Sequence, residues 1–261
     1  MSNNQEKKYN MREFLAFTAA SILEDGKAAF VGTGLPMIAG MLAQKTHAPN
    51  LLMIFEAGSI GPHLPELPIS VGQGLTTYHA LAASSMHDVM SACQAGFIDY
   101  GFLGGAQIDV YGNINTTVIG PHDTPKTRLP GSGGANDIAS FSHKTVLMFG
   151  NQTQRTFVNK LDFLTTPGFL DGPGAREKAG LPANTGPYRV ISQLAVYGFD
   201  DKTKKMKVIS LHPGVTVQEV KDNSSFEIII PEKYAISPEP SDKDLDLLRN
   251  VIDPTGMLIG K

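Results

Sequence analysis

Between Asn10 and Glu56 the chain passes through an order of elements that few folds accept: helix, strand, glycine-rich turn, helix, strand. Asn10 stands as an N-cap with Glu13 three residues on, the spacing of a capping box. Leu15, Thr18, Ala19, Ile22 and Leu23 then recur at helical spacing, and Gly26 is placed to close that helix as its C′ residue. Lys27 to Val31 reads as a short buried strand running into Gly32-Thr33-Gly34. Pro36 falls at the expected first position of the next helix, which continues to Lys45. Leu51 to Phe55 is a second apolar strand, and it ends on Glu56. Such alternation predicts an α/β fold, an open and mostly parallel sheet flanked by helices. In sheets of this kind ligands gather beyond the carboxyl ends of the strands.

The pattern then repeats. A helix is expected from Ser85, with Asp88 at its third position, to Gly96. Ile98 to Leu103 is a third strand ending at Gly104-Gly105, and Thr145 to Phe149 is a fourth. Glu56, Gly104 and Gly105 thus all occupy strand ends, where one crevice can hold them together. Beyond Asn151, Leu161 to Leu164, Tyr188 to Ile191, Met206 to Leu211 and Phe226 to Ile230 read as strands. Thr165 to Pro187 is too long for a plain connection, which marks it as a candidate functional loop. Ser241 or Asp242 caps a last helix near Leu245 to Ile252. With no linker, repeat or low-complexity tract, residues 1–261 are expected to form one domain.

Charge removes several function classes. Lys and Arg number 22 against 25 Asp and Glu, a net −3, and no basic run offers a track for phosphates, so no nucleic-acid partner is expected. Cys93 is the only cysteine, which rules out an intrachain disulfide and suits a reducing cytoplasm. Within a predicted helix it reads as a small packed hydrophobe. Residues 1–10 are polar, and no apolar run is long enough to cross a bilayer, so a cytoplasmic protein without membrane contact is expected. The seven histidines (His47, His63, His79, His87, His122, His143 and His212) form no HExxH pair, so no metal is expected. Ser84 and Ser85 lack the Gly-x-Ser-x-Gly elbow of hydrolases.

Two features remain. Glu56 follows five apolar residues and precedes Ala57-Gly58-Ser59. A carboxylate there either accepts backbone N–H bonds in the next turn or waits in a dry cleft as a nucleophile or base. Gly131-Ser132-Gly133-Gly134-Ala135-Asn136 is either a tight turn or a nest whose amides converge on an anion. Gly32-Thr33-Gly34 lacks the third glycine of a dinucleotide fingerprint, because Met37 fills that place.

Taken together, several segments are specific. They are Val31 to Pro36, Ala48-Pro49, Glu56-Ala57-Gly58, Gly104 to Asp109, Tyr111-Gly112-Asn113 with Asn115, Pro125 to Arg128, Gly131 to Asn136, Gly172-Pro173-Gly174 and Ile252-Asp253-Pro254. Carrying these, the chain resembles the B subunits of the family I CoA-transferases, the glutaconate CoA-transferase branch in particular. The resemblance implies an open α/β sheet shared with sugar-phosphate isomerases and a requirement for a homologous A subunit. It implies that Glu56 becomes a thioester with coenzyme A, which serves as substrate with no tightly bound cofactor. It sets Gly133, Gly134 and Ala135 against the reacting centre, and adds Gly104, Gly105 and Gln107 as coenzyme A-binding positions. Relatives that decarboxylate a glutaconyl ester or open a steroid-derived ring have replaced this glutamate; this chain keeps it, which favours transfer. Tyr188 to Ser192 and Ser210 to Thr216 nevertheless resemble the ring-opening branch, so hydrolysis or decarboxylation of a CoA ester stays as the alternative. Arg128, Lys126, Arg155 and Arg176 are the candidate partners of a distal substrate carboxylate.

Overall fold

The structure is a computed structural model and describes residues 8–260; residues 1–7 of the polar N-terminal stretch lie outside it. Helix α1 (Met11–Ala20) opens on the expected capping box, with Asn10 and Glu13 bonded reciprocally. It closes earlier than expected: Ile22 and Leu23 donate to Ala19 and Ala20, tightening the chain out of the helix before Gly26 is reached. Strand β1 (Ala28–Phe30) leads through the glycine turn into α2 (Leu35–Lys45), where Pro36 sits in the first turn, one residue further in than expected. Strands β2 (Leu52–Ile54), β3 (Ser59–Ile60) and β4 (Ala82–Ala83) follow, then α3 (Met86–Gln94), capped by Ser85 and Asp88 as expected. Strand β5 (Tyr100–Leu103) precedes two small hairpins, β6 (Gln107–Ile108) with β7 (Ile114–Asn115), and β8 (Val118–Ile119) with β9 (Thr127–Arg128). Helix α4 (Ala135–Phe141) and β10 (Lys144–Phe149) complete the first half.

The second half adds α5 (Ala175–Lys178), β11 (Pro187–Ser192), β12 (Ala195–Phe199), β13 (Met206–Leu211), α6 (Val217–Asp222), β14 (Ala235–Ile236) and α7 (Asp242–Asp246). The last helix, capped by Ser241, continues as a π-helical turn over Leu247–Ile252. One ten-stranded sheet runs in the order β14-β13-β12-β11-β10-β5-β1-β2-β3-β4. Its centre, β11-β10-β5-β1-β2, is wholly parallel, and antiparallel strands extend it on either side.

Three strand expectations change. Leu161 to Leu164 is bent, not extended, because the Asp162 amide is taken by the Gln107 side chain. Phe226 to Ile230 makes a single bridge, Ile229 with Lys207, and no strand. Ala195–Phe199 is a strand that the sequence hides: it turns back from β11 through Gln193-Leu194, without the Gly, Pro or Asn that usually flags a hairpin.

The core lies on both sheet faces. On one side α1 and α2 bury Leu15, Met37, Ile38, Met41 and Leu42 against Met53, Tyr100 and Val146. Each such side chain contributes about 1.5–3 kcal/mol on burial. Where α1 meets the C-terminal helix, Glu13 is 1% exposed and bonded to Arg249. Burial pushes the Glu13 carboxyl up, but the Arg249 bonds and the Asn10 amide outweigh it and hold it below its ordinary value. A depressed carboxyl stabilises the fold above its unfolded pKa and loses that contribution as pH falls through the folded one. Chemical denaturation across pH 2 to 6 should therefore show an acid loss that Arg249→Met flattens.

Candidate functional site

Glu56 sits at the tip of the β2–β3 hairpin, two residues past the last residue of β2 and not on the strand end where it was expected. Gly58 N–H donates to Phe55 O at 2.9 Å and Phe55 N–H donates to Ser59 O at 2.9 Å, which leaves Glu56 and Ala57 as the turn. Gly58 has a φ of +113°, and a Cβ there would collide with the Ser84 carbonyl. The Ser59 hydroxyl, buried, donates to Thr76 O and pins the hairpin from behind. Gly58→Ala should cost about 2–6 kcal/mol, the sum of backbone strain and overpacking, read as a drop in urea midpoint at constant slope.

Opposite the hairpin stands the glycine loop. Gly131 is bound to Thr116 in both directions, amide to carbonyl and hydroxyl to carbonyl, each at 2.8 Å. Asn136 fixes the other end, its side-chain amide on Thr165 O at 3.1 Å. Helix α4 descends from this loop onto β5, and only a glycine at 101 allows that approach: a Cβ there would meet Ile138 and lie 2.6 Å from Ser142 Oγ. The close packing brings the loop down to the carboxylate. A Cβ on Gly134 would lie 2.9 Å from Glu56 Oε1 and collide with Met90 Cε.

Glu56 and the loop enclose a cavity of about 200 Å³ whose other walls include Val31, Gly32, Phe102 and Ile138. Among the described residues no hydrogen bond or ion pair engages the Glu56 carboxylate. The structural use of such a residue, as a cap for the next turn, is therefore not what this one does. Of the three residues expected against it, Ala135 has its N–H already committed to Ser132 O at 3.0 Å, and Asn136 N–H goes to the Ser132 hydroxyl at 3.2 Å. Among the described residues the amides of Gly133 and Gly134 make no hydrogen bond, and Gly133 has a positive φ (+50°) beside right-handed Gly134, the kind of left-right alternation from which backbone anion nests are built.

Of the remaining expected positions, Gly104 lines a neighbouring cavity of about 380 Å³. Gly105 and Gln107 line neither cavity. A Cβ on Gly105 would strike Ile114 Cγ2, so that glycine serves the β6–β7 hairpin. Gln107, 7% exposed, is fully engaged with Asp162 and Asn115.

The four candidate cations also separate. Arg176 is buried and spends its guanidinium on Pro167, Gly168, Ala139 and Ser140 carbonyls and the Thr185 hydroxyl. Burial pushes its pKa down to about 10. It ties the loop expected to be functional, Thr165 to Pro187, to the end of α4, and binds no carboxylate. Lys126, Arg128 and Arg155 are exposed, and none lines either cavity. Ser132 comes to the site with the glycine loop in which the sequence places it, whereas Met90 was not expected there; nothing in its local sequence signals it, since only the packing of α3 on α4 brings Met90 over Gly134. Among the described residues no group of three or more His, Cys, Asp or Glu stands together as a metal-ligand set. No helix among them is long and apolar enough to cross a membrane.

An unpaired carboxylate just past a strand, a glycine loop against it and a parallel sheet behind both make up the candidate site. Comparison with known proteins gives the family. Residues 14–223 match the coenzyme A transferase family. The chain is 40% identical over 242 residues to the B subunit of 3-oxoadipate CoA-transferase from Pseudomonas knackmussii, covering 92% of each. It is 35% identical over 255 residues to the B subunit of glutaconate CoA-transferase from Acidaminococcus fermentans, covering 94% of this chain and 93% of that one. The crystal structure of glutaconate coenzyme A-transferase from that organism superposes with a TM-score of 0.92 at 36% identity, covering 97% and 98%. The chain belongs to the coenzyme A transferase family, as a subunit of the B type.

Proposed function

We propose that this chain, with a homologous A subunit, moves coenzyme A between an acyl-CoA and a free carboxylate through a thioester on Glu56. The observation that carries the reading is the Glu56 carboxylate, unpaired among the described residues and held against Gly134. A Glu56 oxygen attacks the acyl carbonyl, the C–S bond breaks, and thiolate leaves a mixed anhydride. The thiolate attacks the Glu56 carbonyl carbon, expelling the former acyl group as a carboxylate and leaving glutamyl-CoA. An incoming carboxylate runs both steps in reverse, which is ping-pong covalent catalysis. The uncommitted amides of Gly133 and Gly134 stabilise the tetrahedral oxyanions. The apolar walls and the A subunit keep water from the anhydride and thioester.

The acyl group is a dicarboxylate of the length of glutaconate or 3-oxoadipate, the compounds named for the two relatives. Neither cavity carries a cation, so the distal carboxylate finds its counter-charge on the A subunit. The test is the intact mass of this chain, co-expressed with its A subunit and given acyl-CoA without acceptor. The expected result is a gain of coenzyme A minus water that Glu56→Gln lacks. Consumption of the ester without any adduct would make the enzyme a hydrolase or decarboxylase instead.

A further inference from the structure

The glycine loop has two ends, and both lead to one buried threonine. Thr165, 7% exposed, stands where the long segment begins, and its N–H donates to Ile114 O on β7 at 3.0 Å. Its hydroxyl accepts the Thr116 N–H at 2.9 Å and bonds the Thr117 hydroxyl at 2.7 Å. Thr116 is the residue that clamps Gly131, at the upstream end of the loop, by carbonyl and hydroxyl. At the downstream end the Asn136 side chain donates to the carbonyl of the same Thr165. Ser132, Gly133, Gly134 and Ala135 therefore hang between two bonds that converge on one residue.

The supports behind that residue are firm. Thr117 N–H donates to Asn115 Oδ1 at 2.9 Å, and Asn115, fully buried, donates in turn to Gln107 Oε1 at 2.8 Å. The far end of α4 is secured separately, by Arg176 on the carbonyls of Ala139 and Ser140. A change at Thr165 is thus felt in the loop while the helix stays docked. Thr165 lines neither the Glu56 cavity nor its neighbour, so any effect it has on the chemistry passes through the loop.

We propose that Thr165 is a positioning residue of the Glu56 site: its hydroxyl and carbonyl hold the two ends of the glycine loop and so place the Gly133 and Gly134 amides beside Glu56. The assignment rests on the transferase reading of Glu56. Its physical basis is hydrogen-bond satisfaction. Among the described residues the Thr116 N–H has no acceptor other than the Thr165 hydroxyl. Without that hydroxyl the amide must turn to find another partner, because a shielded donor left unmade is costly. Thr116 then moves and takes Gly131 with it. Oxyanion donors act over a narrow range of distance, and a displacement of about 1 Å is enough to lose most of their effect.

Thr165→Val removes the hydroxyl and keeps the branched shape, whereas Thr165→Ser keeps the hydroxyl and removes a methyl. Each would be made in the complex of both subunits, and formation of the CoA adduct followed by mass through a single turnover. For Thr165→Val the expected result is a loss of about tenfold or more in loading rate at saturating acyl-CoA, with the adduct still reaching its full final amount. KM for acyl-CoA should stay within about twofold, because the lost support matters only once the oxyanion forms. Thr165→Ser should load within about threefold of wild type, whatever its melting temperature. Asn136→Ala cuts the downstream bond at an exposed residue, and should slow loading by about threefold or more with the same constancy of KM. A wild-type rate in Thr165→Val beside a lowered melting temperature would make Thr165 a purely structural residue. Equal slowing in Thr165→Ser would assign the effect to the methyl group and not to the hydroxyl. A wild-type rate in Asn136→Ala would release the loop from Thr165 whether or not Thr165→Val assembles. Each of these overturns the assignment. Wild-type complex separates it from the underlying reading: no CoA adduct there sinks the Glu56 mechanism itself, whereas a normal adduct with an unresponsive Thr165→Val sinks only the positioning role.

Discussion

Glu56→Asp should lower CoA transfer by at least about 100-fold while leaving stability within about 0.5 kcal/mol of wild type. The substitution keeps the charge and withdraws the attacking oxygen by one methylene. Covalent attack requires near-contact geometry, and a displacement of about 1 Å is enough to cost two orders of magnitude. The fold has little to lose, because the Glu56 carboxylate makes no hydrogen bond or ion pair among the described residues. Glu56→Gln should abolish the adduct outright, with activity returning over hours only where the amide hydrolyses in the site; following both mass and rate through time separates the two. Steady-state kinetics of the aspartate variant decide the matter: transfer near the wild-type rate would leave Glu56 outside the covalent chemistry.

On the proposed mechanism Gly134→Ala should also cost at least about 100-fold in transfer, by the opposite route of pushing the intact Glu56 side chain out of place. The new Cβ would collide with Met90 Cε and lie 2.9 Å from Glu56 Oε1. Methionine is flexible and yields, so the stability loss should be modest, about 1–3 kcal/mol. The carboxylate cannot yield without leaving the position from which the proposed mechanism has it attack. Adding Met90→Ala should therefore recover the lost stability and leave transfer impaired. Recovery of both in the double variant would mean that crowding at Met90, and not the approach of Gly134 to Glu56, underlay the loss.

Stability and chemistry part in this way because the site lies on connections and the core lies beneath them. The capping box at Asn10 and the cap of Ser85 with Asp88 are local bonding patterns between residues three apart, so they are legible in the amino-acid order and recur in the fold, whereas the choice of Ser241 over Asp242 as the last cap came with the structure. The parallel strands β1, β2, β5 and β10 are equally legible, since short and largely apolar runs between turn residues have few other uses. Local pattern fails where a partner far along the chain takes over the backbone. The Asp162 amide goes to Gln107, 55 residues away, and no strand forms at Leu161 to Leu164.

The candidate site divides along the same line. Sequence by itself determined that Glu56 follows an apolar strand, that glycines crowd the turns at 32, 104 and 131–134, and, through resemblance, the family to which the chain belongs. Only the tertiary structure decided which of these meet. Gly101 lets α4 settle on β5, and that approach carries Gly134 to the Glu56 carboxylate while Ala135 gives its amide to Ser132. It also turned Arg176 from a candidate substrate ligand into a buried tie between α4 and the long loop. The physical reason is range: hydrogen-bond caps and apolar runs are written in neighbouring residues, whereas the meeting of a carboxylate with a bare backbone depends on how closely two distant elements can pack.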